Sequence, residues 1–224
     1  MIIRTLTYSL LFLIFIFSIT LASDLPSTKG QVLKNDDVKI LLVTDSAYGA
    51  NYNIKDARGS IRKQLNAFGW KMDIAAPFDT VMPCSVSVQY FNHKPFPADF
   101  LIGDLNIERI MQYDAIVLLP NATGQEHNYG NKHLLGLIKE ASDSGIVVAG
   151  WCRAVRLMAA AGLLKGKKVV GNADYEDEYI KAGAEFLGND HSPVIDGNIV
   201  TIVRSRYYRT EGCRAIAEAI KSRK

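Results

Sequence analysis

Cysteine is scarce in this chain of 224 residues, occurring only at Cys84, Cys152 and Cys213. An odd count leaves at least one thiol unpaired within the chain. Ligand spacings that would hold a metal ion are missing, and so is the glycine fingerprint that cradles a phosphate. No metal and no cofactor is therefore expected. A surplus of one charge is missing too. The formal net charge is +3, with Lys and Arg scattered among Asp and Glu. Without a basic stripe or interleaved aromatics, no nucleic-acid partner is expected. The tail KSRK is short and reads as a solvated helix end. No repeat or low-complexity tract interrupts the chain, which suits one domain.

The long hydrophobic run is confined to the N-terminus. Arg4 precedes an almost unbroken apolar stretch, residues 6–21, and the small residues Ala22 and Ser23 follow. This is the pattern of a secretory signal peptide over residues 1–22. The competing reading is a retained anchor, for which the stretch is borderline, because a span needs roughly 20 apolar residues. No cysteine follows the run, which argues against a lipid anchor there. The expectation is a secreted, periplasmic or other extracytoplasmic protein with no stable membrane span after cleavage. A polar leader (23–37) and one domain (38–224) would follow. Hydrophobic residues make up 48% of the chain, enough for a core.

Within that domain, short apolar runs alternate with helical periodicity. VKILLVTD (38–45), WKMDIAAP (70–77), YDAIVLLP (113–120) and IVVAGW (146–151) read as strands buried on both faces. KKVVG reads as a further short strand. Helices are expected over 53–68, 133–145, 153–162, 175–184 and 210–221. Residues 81–104, broken by Pro83, Pro95 and Pro97, read as a hairpin or an excursion over one face. SPVIDGNIVTIV (192–203) reads as a hairpin turning at Asp196 and Gly197. Alternating strands and helices predict an α/β fold with a mainly parallel sheet between helices.

Cys152 falls directly between a buried strand and a helix. In such sheets ligands bind at the carboxyl ends of strands. A helix N-terminus favours an anion, so the thiol pKa is expected to be lowered. A sharp strand-to-helix turn is also how hydrolases expose a nucleophile. Two readings of the remaining cysteines stay open. All three are buried small apolar residues, or Cys84 pairs with Cys213 and leaves Cys152 free.

The stretches YDAIVLLP, GIVVAGWCRAVRLMAAAGLLKGKKVVG, IKAGAEF and VIDGNIVTI resemble the ThiJ/PfpI family of the class I glutamine amidotransferase-like superfamily. The likeness runs from residue 38 onward. It implies a flavodoxin-like three-layer sandwich with a reactive cysteine at the elbow, here Cys152. It also admits a homodimer, since many members are homodimers or larger.

The chain departs from the family pattern at three places. Arg153 stands where many members carry histidine; it is no general base but can hold a carboxylate or phosphate by its planar fork. Asn121 and Ala122 replace two glycines whose N–H groups can form an oxyanion hole. The helix glutamate that bonds the cysteine falls on Ala57, with Asp56 able to substitute after a shift of register. Glu126 falls where the family's proteases carry a glutamate completing the site across a subunit boundary. His127 beside it is chemically suited to act as a base. Asn172 takes the place of a histidine, and Arg204 or Arg206 that of an arginine near the site. Asp174, Glu176, Asp177 and Glu178 read as a solvated helix start. The triplet Asn121-Ala122-Thr123 fits a glycosylation acceptor and is read as unused, because a glycan would crowd the site.

These readings predict a divergent cysteine-dependent hydrolase (peptidase, amidase or deglycase-like) acting on a peptide or small molecule. Cys152 would be nucleophile, Glu126 and His127 acid–base partners, and Arg153 an anion clamp. The alternative is a non-catalytic ligand-binding or thiol redox-sensing member.

Overall fold

The runs with the strongest β-branched and aliphatic content form the centre of the sheet. In the computed structural model, which describes residues 37–55, 57, 59–121 and 125–223, β1 is Lys39–Val43, β2 Ala47–Tyr48, β3 Lys71–Ala76 and β4 Thr80–Pro83. Two short strands follow, β5 Phe96–Pro97 and β6 Phe100–Leu101, then β7 Ala115–Leu118 and β8 Val147–Trp151. The last four are β9 Lys168–Val169, β10 Glu185–Phe186, β11 Val194–Asp196 and β12 Ile199–Ile202. The helices are α1 Ile61–Asn66, α2 Ser85–Phe91, α3 Ile107–Ile110, α4 Glu126–Tyr129 and α5 Lys132–Asp143, then α6 Val155–Ala160, α7 Glu176–Lys181 and α8 Arg209–Arg223. The segment read as a signal peptide, most of the leader, Asp56 and Ala122 lie outside the described residues.

Seven strands form the main sheet in the order β11-β12-β8-β7-β1-β3-β6. Every pairing is parallel except that of β11 with β12. The expected mainly parallel flavodoxin-like sandwich is therefore the observed one. Successive residues of a strand point to opposite faces, and the two cores divide accordingly. Leu41, Val43, Ile116, Leu118 and Val148 pack with Leu134, Ile138, Val155 and Met158 of α5 and α6. Ile40, Leu42, Val117, Ala149 and Trp151 pack with Ile61, Leu65, Cys213 and Ile216 of α1 and α8. Each Val, Leu, Ile or Met among them contributes on the order of 1.5–3 kcal/mol when fully buried.

The structure revises several local expectations. The helix expected over 53–68 starts only at Ile61, where Ser60 Oγ accepts the Lys63 N–H. Gly59, at φ +74°, breaks the apparent periodicity just before that cap. The segment 81–104 is an antiparallel β4–β5 pair enclosing α2, a helix hidden by the flanking prolines. The KKVVG strand, β9, pairs with β10 outside the main sheet. The β11–β12 turn falls on Gly197 and Asn198, one residue later than expected, because Asp196 pairs with Ile199. Asn198 Nδ2 then donates to the carbonyls of Ser142 and Ile146, which ties this turn to the start of β8.

Cys84 and Cys213 are not bridged to each other; all three cysteines are free. Cys84 Sγ lies 3.2 Å from Ser87 Oγ. Cys213 is buried on α8, and burial pushes its thiol pKa up to about 12.

Candidate active site

The carboxyl ends of β1, β7, β8 and β12 converge on one cleft. This is where an open α/β sheet leaves a crevice. Its volume is about 430 Å³. Gly49 and Ala50 reach it from beyond β1, Pro120 and Asn121 from beyond β7, and Cys152 and Arg153 from beyond β8. Arg204, Ser205 and Arg206 come from beyond β12, while Cys84, Val86, Asn172 and Asp174 complete the wall.

At the end of β8 the chain turns through Trp151 in extended conformation into Cys152, whose φ is +53°. For an L-residue this left-handed backbone costs on the order of 1–2 kcal/mol. A single 3-10 turn, Cys152–Ala154, then leads into α6. The turn is tight because Gly150 lets α6 approach β8: a Cβ there would lie 2.6 Å from Met158 Sδ. Trp151 is fully buried, clamped by Gly212 of α8, whose added Cβ would lie 2.6 Å from the indole Cζ2. Packed neighbours on both sides thus hold the strained residue, and its thiol lines the cleft.

The direction of the thiol pKa corrects the sequence expectation. Burial pushes Cys152 above the ordinary thiol range. Three effects pull the other way without cancelling it: the Arg153 backbone N–H bond to the thiol, and the charges of Arg153 and Arg204. Asp174 adds to the rise. The helix beyond the elbow is a short α6 entered through a 3-10 turn, so its dipole is small against the cost of removing a thiolate from water. The sign of each neighbour can be tested. Asp174→Asn removes an anion beside the thiolate, so the midpoint of alkylation falls and the rate near neutral pH rises. Arg153→Gln removes a cation and does the reverse. Each change is expected to be about two- to fivefold, the range for partly exposed charge pairs. Alkylation of Cys152 followed across pH checks both directions.

Of the residues singled out in the sequence, the cleft brings together Cys152, Arg153 and Asn121. Asn172 and both arginines, Arg204 and Arg206, line it as well. Glu126 and His127 do not line it. They open α4, which a buried carboxylate draws onto the end of β1. Asp45 Oδ2 accepts the His127 and Asn128 N–H groups, and its Oδ1 lies 2.8 Å from His127 Nδ1. The His127 ring also meets Phe78 edge-on, with centroids 5.1 Å apart. Within one chain, then, the structure couples His127 to Asp45, and Glu126 is exposed. Ala57 is exposed and precedes α1, so the counterpart of the helix glutamate is not on a helix here. The acidic run is not simply a solvated helix start. Asp174 accepts from Asn172 Nδ2 at 2.8 Å, and Glu178 takes a two-pronged ion pair from Arg156.

The model of the DJ-1/PfpI family matches residues 30–210. The chain belongs to this family. An uncharacterised protein of Methanocaldococcus jannaschii is 34% identical over 106 residues, 46% of this chain and 51% of that protein. A deglycase of Thermococcus kodakarensis is 32% identical over 90 residues, 40% of this chain and 52% of that enzyme. The matched segments thus span about half of each relative's own length. In three dimensions the chain is similar to a ThiJ/PfpI domain protein from Brachyspira murdochii, with a TM-score of 0.65 at 20% identity, over 82% of this chain and 96% of that one. At that identity the likeness shows the fold alone.

Other residues of this family member's cleft carried no sequence signal. Asn51 Nδ2 donates to Ser205 Oγ at 3.2 Å, and the buried Arg209 donates through Nη1 to Asn51 Oδ1 at 3.2 Å. This chain of bonds props the β12 side of the wall against the loop after β1. Gly49 donates its N–H to the Pro120 carbonyl at 3.1 Å and carries no Cβ to foul that oxygen. Among the described residues, no group of three or more His, Cys, Asp or Glu could hold a metal ion.

Proposed function

We propose that this DJ-1/PfpI-family protein is an exported cysteine-dependent enzyme, hydrolase or deglycase in type, in which Cys152 is the nucleophile. The observation that carries this reading is the left-handed backbone of Cys152 at the strand end. A cysteine kept at a strained position, with its thiol on a cleft wall, supports a chemical use for it; such strain clusters at active sites. The deglycase names of relatives such as the Thermococcus kodakarensis enzyme support that reaction class. Export rests on the N-terminal sequence pattern, and no helix among the described residues is long and apolar enough to cross a membrane.

A thiol held above the ordinary range is mostly protonated near neutral pH, so the reaction needs a proton acceptor at the moment of attack. In this reading the Arg153 N–H and the two cations stabilise the thiolate as it forms, and the substrate or a water takes the proton. Activity is then expected to rise from neutral into alkaline pH as more thiolate is present. The test is turnover by the full chain of lysine and arginine adducts of an α-oxoaldehyde, with amide and peptide substrates as parallel arms. Turnover that rises with pH is the expected result. No turnover in any arm would set this reading aside.

A second reading is favoured by one feature: Cys84 and Cys152 line the same cleft, which suits reversible thiol oxidation. The same turnover assay separates the two, because a sensor oxidises without turning over substrate.

A further inference from the structure

The charged groups of the cleft are unequally shared. Arg153, Arg204 and Arg206 line it against a single carboxylate, Asp174. That carboxylate is itself engaged by Asn172 Nδ2. Arg153 and Arg204 both pull the Cys152 thiol toward its anionic form without overcoming its burial, so the cations of the cleft act on the reacting atom. The rest of the lining includes the uncharged Gly49, Ala50, Cys84 and Val86. Arginine forks match a planar carboxylate bidentately, and a cleft lined by one sign of charge raises the local concentration of the opposite ion.

We propose that the substrate is a small carbonyl or acyl compound carrying a carboxylate beside its reactive carbon. Arg204 and Arg206 hold the carboxylate, and the uncharged lining residues take the remainder. This rests on the reading of Cys152 as a nucleophile and adds the substrate class that the cleft selects.

Matched alkylating agents test it on the full chain. Iodoacetate and iodoacetamide attach to the same thiolate with loss of iodide and differ in whether they carry a carboxylate. Their rate ratio is therefore independent of the thiolate fraction. At constant ionic strength, the iodoacetate-to-iodoacetamide ratio at Cys152 is expected to be about tenfold higher in the native protein than in the denatured chain. The Arg204→Gln/Arg206→Gln double variant should bring the native ratio down to the denatured one, and Arg204→Lys/Arg206→Lys should retain part of the preference. A native ratio equal to or below the denatured value overturns the carboxylate site while leaving the nucleophile reading intact. If neither reagent labels native Cys152, the nucleophile reading falls. The carboxylate site is then decided by sodium pyruvate: a rise in Tm for the wild type and none for the double variant keeps it, and no rise in either removes it.

Discussion

Cys152→Ala is expected to reduce turnover by about 10³-fold or more, the scale on which removing a nucleophile acts. A merely structural cysteine would not show this, since alanine fills most of the space of a small thiol. Cys152→Gly separates the elbow's two roles. Glycine also lacks the thiol, so it is equally inactive, but it adopts φ +53° without steric penalty. Between these two inactive variants the glycine protein is expected to be more stable by about 1 kcal/mol, because alanine keeps the strain and glycine releases it. The usual order is the reverse, since glycine ordinarily costs extra backbone entropy on folding. Denaturant unfolding of both variants reads the difference directly. If the alanine variant is the more stable, the backbone at this position is not strained, and the structural argument for a chemical role fails.

The second large effect lies behind the elbow. Gly212 sits inside α8, where alanine would ordinarily gain about 1 kcal/mol through helix propensity. Here the added Cβ would lie 2.6 Å from Trp151 Cζ2, 2.9 Å from Cε2 and 3.0 Å from Ile202 Cδ1. The indole is rigid and fully buried, so it can yield only by displacing packed neighbours. Overpacking of this kind costs about 1–3 kcal/mol, enough to reverse the sign. Gly212→Ala is expected to lose about 1–2 kcal/mol net, and Gly212→Val more, as its two further methyls meet the same ring. Because Trp151 immediately precedes Cys152, relief of the clash also moves the elbow, so the rate of Cys152 labelling should change with stability. A Gly212→Ala protein as stable as wild type, with unchanged labelling, would show that the α8 contact does not hold the elbow.

The layout of the sheet was readable in the sequence because its strands are buried on both faces, and such strands are near-continuous aliphatic runs. VKILLVTD, YDAIVLLP and IVVAGW carry that signal without ambiguity. The elbow was readable for the same reason: a cysteine directly after a buried strand and before an alanine-rich helix has few other places to be. The arginines at 204 and 206 were reached through the family likeness and lie on the cleft wall. What stayed hidden depends on contacts between distant residues. The bond between Asp45 and His127 joins positions 82 apart, and that between Asn51 and Ser205 joins positions 154 apart; neither leaves a local pattern. The sequence therefore shows no role for Asp45 at the end of β1 and leaves His127 available to Cys152, whereas the fold commits it to Asp45. The direction of the thiol pKa is hidden for a related reason. The sequence displays a helix start, which lowers a thiol, but not the burial that raises it, and here burial is the larger effect. Helix α2 leaves no stripe of buried apolar residues, because Ser87 is its buried residue while Val86, Val88, Tyr90 and Phe91 are exposed, and the prolines on either side resemble a broken loop.

The most direct test of the account is the pH dependence of alkylation in the native full chain, with the labelled cysteine mapped at each pH. The account predicts that Cys152 reacts faster than Cys84, which lines the same cleft but is only 6% exposed, while Cys213, buried on α8, is protected until denaturation. It also predicts that the Cys152 midpoint lies above the roughly 8.5 of a free thiol, as burial dictates. A midpoint below that value would contradict the assigned balance of burial over charge. A Cys152 labelled only after unfolding would contradict the claim that this strained residue presents its thiol to the cleft.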